Sequence, residues 1–192
     1  MPDANPAALE FLLTRRSRPA KTLQPPVPDR ETVSQLLTAA ARSPDHGKLE
    51  PWRFIVLEGQ SFSRLSALVA ERGEALGKTP DDITKAQNQF DQAHLAVAVI
   101  EVQKPSEKIP PIEQTYSAGA VALALLNAAL AAGWGANWLS GWPSHDTDFC
   151  AQGLGLTDGE RVVGFIHIGT ERSAPPERPR PAMDDITTWM SS

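Results

Sequence analysis

The sequence predicts an α+β (α/β) fold, a mixed central sheet of four to five strands flanked on both sides by helices. Three observations carry that expectation. The run Leu95-Ala96-Val97-Ala98-Val99-Ile100-Glu101-Val102 is apolar at every position but one, so it reads as a strand covered on both faces. Shorter runs rich in β-branched residues, over 52–57 and 162–168, are bounded by Gly or Pro. Between such runs lie longer segments whose apolar residues recur every three or four positions, as one face of a helix requires.

In chain order, residues 7–15 form a first helix, with Leu9, Leu12 and Leu13 at helical spacing, and Arg18-Pro19 stops it. Residues 23–28 are an extended, proline-marked connector. Asp29 caps a helix that runs to Arg42, with Val33, Leu36, Leu37 and Ala40 as its apolar stripe. A polar turn over 43–50 opens through Pro51 into the strand 52–57, which Glu58-Gly59 ends. Helices follow over 62–76 and, more polar, over 80–92. After the strand 95–102, a proline-rich loop over 104–111 leads into a long helix over 113–132. A short strand over 136–139 ends at Ser140-Gly141. A short helix then runs from Asp146 or Thr147 to near Gly153, before the last strand over 162–168. The remainder is rich in Pro and Arg, with a turn of helix over 184–190. A tail of this kind lies extended along a surface, and a dimer partner would offer one.

At 192 residues one compact domain over 1–192 is expected, with enough chain to bury a core. A net charge of −5 and a pI near 5.4 argue against a nucleic-acid partner, because no net basic field exists to displace counterions from phosphates. The single cysteine, Cys150, allows no internal disulfide and reads as a small buried apolar residue. His46, His94, His145 and His167 lie far apart without metal-ligand spacing, so no metal site is expected. The apolar stretch 118–134 is interrupted by Gly119, Asn127 and Gly133 and reads as a buried helix, not a membrane span. No signal-peptide-like apolar region follows Met1, so a cytoplasmic protein is expected. The chain has no GxGxxG after a strand, no P-loop and no GxSxG elbow.

Three segments carry candidate chemistry. Arg15-Arg16-Ser17 ends the first helix, where the cations either cap the helix or, once the helix has stopped, converge on an anion. The turn around Asp45, His46, Lys48 and Glu50 is either an ordinary surface turn or a ligand-facing loop on a rigid strand. Trp134, Trp138 and Trp142, spaced by four, read either as core or interface aromatics or as walls for a flat ring.

With these segments in this order, the chain resembles the nitroreductase family of FMN-dependent oxidoreductases, in its compact bacterial subgroup. The resemblance runs from Arg15-Arg16-Ser17 through the Pro44-Asp45-His46 to Pro51-Trp52 junction. It continues through the block ending Trp138-Leu139-Ser140-Gly141 to the final strand. It implies a single FMN-binding domain and a homodimer with FMN at the subunit interface. NAD(P)H would reduce the flavin at N5, and a small-molecule acceptor such as a nitroaromatic or quinone would then take the hydride, in a ping-pong cycle. It places Arg15, Arg16 and Ser17 on the FMN phosphate and ribityl oxygens, and His46 on the flavin of the other subunit. Trp138, Leu139 and Ser140 would line the ring edge, and Arg178 and Arg180 could complete the phosphate site. Glu50 stands where the subgroup has a glutamine. A carboxylate cannot donate the amide hydrogen bond, so Glu50 either turns away, for instance to Arg53, or lowers the flavin potential. No catalytic acid, base or nucleophile is assigned, since the cofactor would carry the chemistry. Two alternatives stay open: a flavin-binding protein that fragments or stores flavin, and a non-catalytic structural dimer.

Overall fold

A computed structural model describes residues 3–191. Helix α1 (Pro6–Thr14) leads to a two-residue strand β1 (Leu23–Gln24) and helix α2 (Arg30–Ala40). Strand β2 (Trp52–Glu58), helices α3 (Ser61–Ala75) and α4 (Pro80–Asp91), and strand β3 (Leu95–Val102) follow. Helix α5 (Pro111–Ala131), strand β4 (Gly135–Leu139), helix α6 (Thr147–Leu154), strand β5 (Glu160–Glu171) and a short α7 (Met183–Ile186) complete the order. Helix starts follow local chemistry. Asn5, Asp29, Thr79 and Asp146 each accept a hydrogen bond from a first-turn N–H, and Pro6, Pro80 and Pro111 occupy first helical positions.

The strands lie in the order β1-β5-β3-β2, with β4 also paired to β5. Every pairing is antiparallel, which corrects the mixed sheet expected from sequence. The reason is topological. Two helices, α3 and α4, separate β2 from β3, so the chain reverses direction between adjacent strands. The single crossover α5 returns β4 in the direction of β3, but β5 inserts between the two. The fifth strand, β1, lies in the stretch expected to be a connector and forms only by pairing Leu23 with Glu171 and Gln24 with Thr170.

Alternation along β3 builds two cores. Leu95, Val97 and Val99 face α2 and α5, where Val33, Leu36, Val121, Leu125 and Ile166 join them. Ala96, Ala98 and Ile100 face α3, α4 and α6, packed by Leu65, Val69, Phe90, Phe149 and Phe165. Phe90 meets Phe165 edge-on at 5.4 Å between ring centroids. Helix α5 has the length and apolarity to cross a membrane, but here Ala118, Val121, Ala122, Leu125 and Ala129 are buried against the sheet and α2. Cys150 is buried in the second core, as expected.

Candidate functional site

The site begins where α1 stops. Arg15 leaves the helix with extended backbone, φ −56° and ψ 141°, so Arg15, Arg16 and Ser17 no longer spread around a helical cylinder. Strand β4 then holds the segment. The Arg18 N–H donates to the Ala136 carbonyl at 2.8 Å, and Asn137 Nδ2 donates to the Arg18 carbonyl at 2.7 Å. Arg18 Nε also meets Glu171 at 2.5 Å. Within the segment, Arg15 Nη2 donates to Ser17 Oγ at 2.9 Å and Arg16 Nη1 to the Ser17 carbonyl at 3.3 Å. Arg180 returns from the tail and places Nη2 3.5 Å from the Arg15 carbonyl. Arg178, by contrast, is exposed, and among the described residues it bonds only through its backbone N–H to Glu177, while Arg180 reaches Arg15.

This is a cluster of like charges. Partial burial pushes the Arg15 guanidinium below its ordinary pKa, and repulsion from Arg180, Arg16 and Arg18 adds to the effect. The Nε atoms of Arg15 and Arg16 are shut off from water without a hydrogen-bond partner among the described residues. Guanidiniums that crowd together with unused donors fit an anion, whose charge relieves the repulsion and whose oxygens take the N–H groups.

Beyond the arginines, β4 presents its two faces differently. Trp138 packs toward the α2–α5 core and lies over Gly164, where an added Cβ would come within 2.0 Å of the indole. Its ring is therefore committed to packing. Leu139, on the other face, lines a cavity of about 410 Å³ with Lys21, Lys85, Asn88, Gln89 and His167. Ser140 is exposed just past the strand end. Sequence reading missed this wall. The signals were present: Lys85, Asn88 and Gln89 on α4 and Gln92 at its C-cap recur at helical spacing, and His167 interrupts an apolar strand.

The turn before β2 is a separate structure. Gly47, Lys48 and Glu50 all have positive φ (74°, 56° and 48°), and the Glu50 N–H donates to Asp45 Oδ2 at 3.0 Å. Left-handed backbone at two non-glycine residues costs about 1–3 kcal/mol each, and such strain collects at functional loops. His46 Nδ1 lies 2.7 Å from Glu113 Oε2, at the start of α5. Glu50 is exposed and does not pair with Arg53, whose guanidinium is taken by Glu160. No hydrogen bond joins this turn to the arginine cluster among the described residues. A larger cavity, about 570 Å³ between α5, α6 and β5, holds none of the residues expected from sequence. Its main charged groups, Glu101 and Arg161, pair with one another at 2.9 Å.

Residues 12–170 match the model of the nitroreductase family. The chain belongs to that family. Membership makes it a nitroreductase-like oxidoreductase. YdjA of Escherichia coli K12, a provisionally named NAD(P)H nitroreductase, is 36% identical over 163 residues, covering 85% of this chain and 87% of YdjA. A similarly named protein of Haemophilus influenzae is 34% identical over 85% of this chain and 88% of its own. Among solved structures, a nitroreductase-like family protein from Bacillus cereus superposes over the full length of both chains with a TM-score of 0.78 at 24% identity. At that identity the superposition speaks for the fold.

Proposed function

We propose that the protein is an FMN-dependent, NAD(P)H-oxidising homodimer that reduces a nitroaromatic, quinone or similar conjugated acceptor by a ping-pong cycle. The observation that carries this reading is the arginine cluster beside the β4 cavity. Arg15 and Arg16 supply unused donors for a phosphate, Arg180 adds charge beside them although its Nη2 already meets Glu177 at 3.1 Å, and Ser17 supplies a hydroxyl for the ribityl chain. The cavity next to Leu139 has one apolar wall and several amide and amine donors, a match for a flat heterocycle with polar edges. The residues therefore fit FMN. The names of the relatives, NAD(P)H nitroreductases, support the same class of chemistry.

When bound, FMN supplies hydride acceptance and donation at N5. The chain's own residues bind and orient. Arg15 and Arg16 hold the phosphate end, and Ser17 fixes the ribityl end. The Leu139-Ser140 backbone sets the plane of the ring, with Trp138 acting behind the strand as packing. His46 and Glu50 lie on the strained turn and serve the flavin of the other subunit, with Arg178 at the rim of the phosphate site. Glu50 is exposed, and as a carboxylate it offers only acceptors where a glutamine would also donate.

The test is a spectrum of the purified protein after FMN reconstitution and removal of excess flavin, followed by anaerobic NADPH or NADH. Flavin bands that bleach with reductant and recover on adding a nitroaromatic support the reading. Bands that persist under both nicotinamides point to a flavin-storing or flavin-fragmenting protein. A colourless protein after reconstitution overturns the cofactor assignment and with it every site residue named here.

A further inference from the structure

Two residues that line the cavity beside β4 each carry a polar atom left unpaired among the described residues. His167 Nε2 and Gln89 Nε2 are both closed to water, and neither has a hydrogen-bond partner among the described residues. His167 is 3% exposed and stands alone as a polar side chain between Phe165, Ile166 and Ile168 of β5. A buried donor or acceptor left unpaired costs about 1–3 kcal/mol, and a leucine at this position would avoid that cost. Burial pushes the imidazole pKa down to about 4, so near neutrality the ring is uncharged, with one N–H to give and one lone pair to accept. Gln89 brings amide donors from α4 to the same cavity, and the exposed Lys21 and Lys85 place positive charge at its rim.

We propose that His167 and Gln89 are the binding residues for the heterocyclic edge of the flavin, its ring carbonyls and nitrogens. His167 is kept for that ligand although it weakens the empty protein. This rests on the FMN reading above. A residue held only for packing would show the opposite balance, since its removal would destabilise the apoprotein and leave ligand affinity alone.

The experiment compares apoprotein melting with binding of FMN and of riboflavin, which lacks the phosphate, by quenching of flavin fluorescence. For His167→Leu the apoprotein should melt at or above the wild-type temperature. Both flavins should bind about tenfold more weakly, by the same factor, with a shifted visible band. Arg16→Ala should weaken FMN and spare riboflavin, which separates the ring end from the phosphate end. Gln89→Leu, on the partly exposed helix α4, should reproduce the shared loss of affinity independently of the core. Unchanged affinity for both flavins in His167→Leu and Gln89→Leu overturns the proposal while leaving the FMN reading intact. So does a His167→Leu apoprotein that melts far below wild type. Wild-type protein that binds neither flavin overturns both.

Discussion

Arg53 reaches from β2 to Glu160 at the start of β5 and donates Nε and Nη2 to separate carboxylate oxygens at 2.6 and 2.9 Å. This fork, helped by the Thr157 N–H and hydroxyl, holds the Glu160 carboxyl down to about 2 from an ordinary 4.5. A folded-state pKa below the unfolded one gives stability that is fully present above pH 4.5 and lost as pH falls toward 2. The shift corresponds to at most about 3 kcal/mol, and water at the Arg53 end, 37% exposed, screens it to about 2. Glu160→Gln should therefore lose about 1–2 kcal/mol near neutral pH in urea denaturation. Its stability should also change less than wild type between pH 4.5 and 2. An unchanged acid limb would assign the acid sensitivity to other carboxylates. At the same scale, Glu50 shows how the sequence exposed a departure without its consequence. The resemblance put Glu50 where a glutamine was expected, but Arg53 is engaged by Glu160, and only the fold shows that Glu50 faces solvent.

Among the elements, β4 does most to connect sequence to site, because one strand secures the arginine segment, packs a tryptophan and lines the cavity. Asn137 is the side-chain link to the Arg18 carbonyl. Asn137→Ala should cost about 1 kcal/mol of stability and weaken FMN several-fold by loosening Arg15-Arg16-Ser17, read by thermal melting and flavin titration. Gly164 on β5 admits the Trp138 indole so closely that a Cβ would also meet the Leu139 carbonyl oxygen at 3.1 Å. Gly164→Ala should lose about 1–3 kcal/mol in chemical denaturation, with a change in tryptophan fluorescence as the indole moves. Retained stability would mean that Trp138 has another place to go. These dependencies also mark what a sequence can disclose. Strands β2 to β5 and the main helices were legible because their apolar periods are local. Strand direction was not, since it depends on how many helices intervene and where β5 inserts. Strand β1 was invisible because two residues become a strand only against a partner. Arg15, Arg16 and Ser17 stood out by charge and position, whereas Lys85, Gln89 and His167 meet only after α4 packs over the sheet.

For the whole molecule, the distribution of exposed apolar side chains bears on assembly. Apart from Val56 and Leu76, they lie on α1 (Leu9, Leu12, Leu13), on one stripe of α5 (Ile112, Tyr116, Leu123) and on the tail (Met183, Ile186, Trp189, Met190). The α5 stripe lies opposite the face buried in the core, and Tyr116 is 68% and Trp189 89% exposed. Side chains of that size left to water suit the subunit interface of the proposed homodimer. The turn carrying His46 is tied by Glu113 to the start of the same helix, so on the proposed homodimer a second copy seated on α5 lies close to that turn. On the proposed homodimer, burial of the stripe and completion of the flavin site are one event. Leu123→Glu places a charge on the stripe near the middle of α5 and outside the chain's core, since Leu123 is 45% exposed. The variant should sediment as a 20.7 kDa monomer where the wild type sediments at twice that mass, and it should lose most of its FMN while its melting temperature changes little. A Leu123→Glu protein that stays dimeric would move the interface off α5. A wild-type monomer holding FMN tightly would show that one chain completes the site, and the strained turn would then need another purpose.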